Sequence, residues 1–157
     1  MNSSPAPEKP TNPKRHTYSL RTVRFHVAEP VTRHIQTRDD LRAVLGPLFD
    51  NLDGDREHFL VLALNARGRV IGYQAVATGT ATACLVHPRE VFRVAIALGA
   101  ASIMVAHNHP SGETAPSRED HLLTERLVTG GALLGIPVLD AVVWTPGGIE
   151  TTMPGSE

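Results

Sequence analysis

Apolar residues recur along this chain with two different periods, and the changes of period mark its elements. Leu41, Leu45, Leu48 and Leu52 fall three and four residues apart, the spacing of one helical face, so a helix is expected over residues 38–52, bent or shortened by Gly46-Pro47. Asp53-Gly54-Asp55 closes it. Residues 59–65 and 70–78 are apolar runs separated by Ala66-Arg67-Gly68-Arg69, which predicts a β-hairpin. Val91, Ala95 and Leu98 return to helical steps after Pro88, a residue suited to the first helical position, and Gly99 supplies a stop. Residues 102–106 read as a buried strand. A helix from Arg118 would turn Leu123, Leu127 and Ala132 inward, with Gly130-Gly131 and Gly135 as candidate stops. Residues 137–144 suit a central strand, and Pro146-Gly147-Gly148 turns the chain into a final one around residues 149–153. Upstream, residues 18–27 alternate enough for a strand. Residues 1–16 carry Pro5, Pro7, Pro10 and Pro13 among polar neighbours and are expected to be disordered. Strands alternating with helices predict an α/β fold.

Candidate chemistry concentrates just past the strand at residues 102–106. At the two-residue period of a strand, His107 and His109 project from one face, so both imidazoles can reach one ion. Pro110-Ser111-Gly112 turns the chain off the strand, and Ser117 stands at the N-cap of the following helix with Asp120 in its first turn. Two imidazoles and a carboxylate can hold a tetrahedral zinc and leave its fourth position to water, the arrangement that separates catalytic from structural sites. Helix capping accounts for Asp120 equally well, but not for the paired histidines.

The spacing His107-x-His109, Ser117, Asp120 matches the JAMM metallopeptidases of the JAB/MPN fold. More narrowly, four stretches resemble the bacterial RadC branch of that family. They are Val86-His87-Pro88-Arg89-Glu90-Val91-Phe92, Ala106-His107-Asn108-His109-Pro110-Ser111-Gly112, Pro116-Ser117-Arg118-Glu119-Asp120 and Leu134-Gly135-Ile136-Pro137-Val138-Leu139-Asp140. The resemblance covers roughly residues 37–144. It implies a single mixed sheet sandwiched by helices, a cytidine-deaminase-like architecture, with one Zn2+ on His107, His109 and Asp120. It also implies a glutamate at the start of an upstream strand. Glu57 stands in that place as general acid/base, although by spacing alone it reads as an exposed strand-end residue. Ser117 matches the residue that helps stabilise an oxyanion, a role compatible with capping. The implied activity is hydrolysis of a peptide or isopeptide bond by zinc-activated water, Glu57 taking the proton and returning it to the leaving amine. His87 and Arg89 are expected to line the cleft without ligand roles, and His121 should point elsewhere on its helix.

The chain also departs from the family. RadC-like proteins usually carry a histidine after the aspartate matching Asp140, where this chain has Ala141, and the N-terminal helix-hairpin-helix module common among them is not expected here. With 157 residues and 41% hydrophobic content, one core is expected, in a domain at residues 37–157. A formal net charge of −1 argues against wholesale phosphate binding, yet Lys9, Lys14, Arg15, Arg21, Arg24 and Arg33 outnumber Glu8 and Glu29. A basic arm at residues 17–36 could contact nucleic acid or an acidic partner; a solvated tail without interleaved aromatic residues accounts for the same charges. The lone Cys84 excludes an internal disulfide framework and a thiolate zinc site, in keeping with a cytoplasmic location, and reads as a small buried strand residue. Residues 1–17 are polar and Pro-rich without an apolar core, so no export signal is expected, and no apolar run reaches the length of a membrane span.

Alternatives to the hydrolase are a RadC-type DNA-repair-associated factor that binds nucleic acid and a metal-bearing interaction module without turnover. A zinc deaminase of the usual kind is excluded, because it needs a Pro-Cys-x-x-Cys.

Overall fold

The computed structural model describes residues 34–79 and 85–155. The expected tail, the arm through Arg33, the strand at residues 18–27 and Cys84 lie outside the described residues. The chain runs α1 (Arg38–Asp50), β1 (His58–Leu64), β2 (Val70–Thr78), α2 (Pro88–Leu98), β3 (Ser102–Asn108), α3 (Arg118–Leu134), β4 (Val138–Thr145) and β5 (Gly148–Thr151). One five-stranded sheet has the order β2-β1-β3-β4-β5, parallel between β3 and β4 and antiparallel elsewhere. Among the described residues no helix is long and apolar enough to cross a membrane.

Helices cover both faces of the sheet, so the interior strand β1 is buried along its whole length. Its side chains alternate between two cores. Phe59, Val61 and Ala63 face α2 and α3 and pack with Val91, Phe92, Ala95, Ile103, Val105 and Leu127. Leu60, Leu62 and Leu64 face α1 and pack with Leu41, Leu45, Leu48, Phe49, Val142 and Trp144. The expected mixed sheet between helices is the fold observed.

Local signals placed several boundaries. His87 and Pro88 open α2, Gly99 closes it, and Ser117 caps α3. Three expectations are corrected. First, α1 ends at Asp50 rather than at Leu52; it runs through Pro47, which sits in its last turn and gives up the bond to the Ala43 carbonyl, while Leu41, Val44, Leu45, Leu48 and Phe49 make the buried stripe. Second, Gly130-Gly131 does not stop α3, which ends at Gly135 in the left-handed conformation, φ 69°. The pair answers to packing instead. A Cβ on Gly131 would meet the Ile136 carbonyl oxygen at 2.6 Å, and one on Gly130 the Phe92 ring at 3.1 Å. Third, Ala132 is exposed, the inward face being Thr124, Leu127 and Gly131.

Candidate metal centre

Strand β3 carries His107 to the edge of the core, and His109 follows just past the strand end. The next loop brings the first turn of α3 back against them. Nε2 of His107 lies 3.1 Å from Nε2 of His109 and 3.0 Å from one Asp120 oxygen; Nε2 of His109 lies 3.5 Å from the other. The Phe59 ring stacks on His107 at 5.8 Å between centroids.

These groups fit a zinc ion. Donors bound tetrahedrally at about 2.0–2.1 Å stand about 3.3–3.4 Å from one another, close to the 3.1 Å between the two imidazole nitrogens, and each of those nitrogens has a carboxylate oxygen of Asp120 within 3.5 Å. The proton placement agrees. Nδ1 of His109 lies 3.0 Å from the Glu113 carbonyl, an acceptor only, so Nδ1 carries the hydrogen and the neutral ring keeps its Nε2 lone pair for an ion. Asp120 is likewise set in place. One of its oxygens accepts from the Ser117 backbone N–H and from the Ser117 hydroxyl, both at 2.7 Å, while the Asp120 N–H donates back to Ser117 Oγ at 3.1 Å. Burial opposes its ionisation, but hydrogen bonding and charge from His107, together with the Ser117 donors, hold the carboxyl well below the usual carboxylate range.

Glu57 comes to the same place through sheet register. It immediately precedes β1, which begins at His58, so the glutamate expected within the strand start stands just outside it. Phe59 pairs with His107, so the two-residue period puts Glu57 on the histidine face. Glu57, His109, Ser117 and Asp120 line one cleft of about 720 Å³, together with Leu85 and Arg126 among others. Burial pushes the Glu57 carboxyl up; His107 pulls it partly back, with a raising contribution from Asp120 and a lowering one from His109.

His87, His121 and His58 have other work. Nδ1 of His87 accepts the Arg89 N–H at 3.3 Å as the N-cap of α2, and the cleft is lined by the preceding Leu85 and Val86 rather than by His87 and Arg89. His121 turns away, as expected, to the Thr152 carbonyl. His58 is buried between Thr78 Oγ1 and the Asp53 carbonyl. Ala141 lies in the core at 2% exposure and pairs with Val105 of β3.

Several contributors escaped sequence reasoning. The Glu113 carbonyl is a backbone group and leaves no signal. Leu85 and Arg126 reach the cleft only through the fold. Asn108 did leave one, as a polar residue inside a buried strand between two candidate ligands.

A family model described as RadC-like JAB domain matches residues 35–152. Similar proteins include a UPF0758 protein of Rubrobacter xylanophilus, 47% identical over 109 residues, which are 69% of this chain and 47% of that protein. A UPF0758 protein of Methanosarcina acetivorans is 40% identical over 123 residues, 78% of this chain and 52% of that one. Another, of Desulforamulus reducens, is 48% identical over 101 residues, 64% of this chain and 44% of that one. The chain thus spans about half the length of the curated relatives it matches.

Proposed function

Because the chain belongs to the family of RadC-like JAB domains, we propose that it is a hydrolase that holds Zn2+ on His107, His109 and Asp120 and cleaves a peptide or isopeptide bond. The observation that carries this reading is the convergence of the three donor groups, all within 4.8 Å of one another, two of which, His109 and Asp120, line a cleft with Glu57. When bound, the ion would polarise a carbonyl and lower the pKa of water in its open position towards about 7.

Each side chain then has a definite task. Glu57 accepts a proton from the attacking water and returns it to the leaving amine, and its raised carboxyl pKa brings it closer to the working pH than an exposed glutamate would be. Ser117 gives both its hydroxyl and backbone hydrogens to Asp120, so its first task is to hold that carboxylate; donation to an oxyanion requires the hydroxyl to turn away. Leu85, Val86 and Leu122 supply apolar cleft walls suited to the side chains of an extended peptide.

Metal analysis of the purified chain tests the ligand set. About one zinc per chain is expected, with loss on His109→Ala; metal content unchanged by that substitution rejects the centre. Glu57→Ala should retain the ion but abolish cleavage of any peptide that the unaltered protein hydrolyses. Retained cleavage rejects Glu57 as the base.

A further inference from the structure

The ladder between β1 and β3 ends at the pair Phe59 and His107. Beyond it a side chain bridges the strands. The Asn108 carboxamide oxygen accepts the His58 N–H at 2.8 Å, and its nitrogen donates to the Arg56 carbonyl at 2.9 Å. Only this orientation of the amide satisfies both partners. The two bonds bracket Glu57. The Arg56 carbonyl belongs to the peptide plane before its Cα, the His58 N–H to the plane after it, and the orientations of those planes are its two backbone dihedrals. The Glu57 carbonyl is itself tied to the Gly79 N–H at 2.8 Å.

From this geometry we propose that Asn108 is a positioning residue for Glu57, holding the backbone on either side of the proposed base so that its carboxylate is presented to the open position between His107, His109 and Asp120. The inference rests on the reading of Glu57 and the metal centre given above. Residue chemistry makes it specific: carboxamides combine a donor and an acceptor on one planar group, aspartate offers acceptors alone, and alanine offers neither. Asn108 is 6% exposed, so water cannot readily replace the lost partners. The alternation of β3 gives the division of labour, its odd positions presenting the ligands while Asn108 between them reaches across to β1.

The test uses Co2+ as a spectroscopic probe in the full chain, comparing unaltered protein with Glu57→Ala, Asn108→Ala and the double variant. About one Co2+ per chain is expected throughout. The change in the visible absorption caused by Glu57→Ala should be reproduced by Asn108→Ala and not enlarged when both are combined. Asn108→Asp preserves side-chain size and the acceptor for His58 but removes the donor to Arg56; it should shift the band in the same direction, and it carries the test should Asn108→Ala not fold. Amide exchange gives a metal-free readout: protection of the His58 N–H should fall about tenfold or more in Asn108→Ala and hold in Glu57→Ala and in Asn108→Asp, which keeps its acceptor. A Glu57→Ala band shift without one in the Asn108 variants overturns the inference alone, as does loss of Co2+ binding in them. An unchanged spectrum in Glu57→Ala overturns the underlying reading of Glu57, and the exchange result then decides whether Asn108 clamps the backbone.

Discussion

Replacing Ser117 with alanine separates helix capping from support of the metal centre, because the fold contains a matched control. Thr37 and Asp40 build the same box at the start of α1: the Asp40 carboxylate accepts from the Thr37 N–H at 3.0 Å and hydroxyl at 2.9 Å, and the Asp40 N–H donates to Thr37 Oγ1 at 3.1 Å. Ser117 and Asp120 repeat that arrangement with the carboxylate also turned to His107 and His109. Losing either cap should cost about 1 kcal/mol, a fall in Tm of about 3–5 °C for a domain of this size. Only Ser117→Ala also frees a proposed metal ligand. Removing a group that orients a ligand weakens binding by about 10–100-fold, equivalent to about 1.4–2.7 kcal/mol. Calorimetric melting of metal-free protein and competitive Zn2+ titration of Ser117→Ala and Thr37→Ala give both numbers. Equal loss of Tm with unchanged Zn2+ affinity in Ser117→Ala would refute any role of Ser117 beyond capping. Unchanged Tm in both would refute the capping energetics.

Burial raises the Glu57 carboxyl above 4.5, so the metal-free fold favours its protonated form; the stability this confers is present below that value and lost as pH rises through the raised one. Glu57→Gln should therefore melt with the unaltered chain at about pH 4 and above it at about pH 7, and a difference of opposite sign at neutral pH rejects the assignment. Gly131→Ala places a carbon 2.6 Å from the Ile136 backbone oxygen and should cost about 1–3 kcal/mol, measured by urea unfolding, with Gly130→Ala milder because the Phe92 ring can move. Thr124→Val removes the 2.6 Å hydroxyl contact with Thr152 across the junction of α3 and the end of the sheet, and should cost about 1 kcal/mol by the same measurement.

Local rules reach as far as local interactions do. Pro88, Gly99, Ser117 and Gly135 act on groups within a few residues of themselves, so the bounds of α2 and the start of α3 were legible along the chain. The same rules offer Gly130-Gly131 as a stop alongside Gly135 and cannot choose between them, because the contacts with Phe92 and Ile136 that explain the pair are tertiary. At the candidate site, the paired histidines and the capped aspartate were visible because one strand period and one helical turn set them. Glu57 was found by resemblance, and Asn108 was passed over. Both acquire their position from the antiparallel register of β1 on β3, which brings together segments fifty residues apart through backbone bonds and one buried carboxamide. The sequence alone thus determined which groups could bind a metal. Tertiary structure decided which groups surround it, since the β1–β3 register follows from burying the alternate faces of both strands in two separate cores.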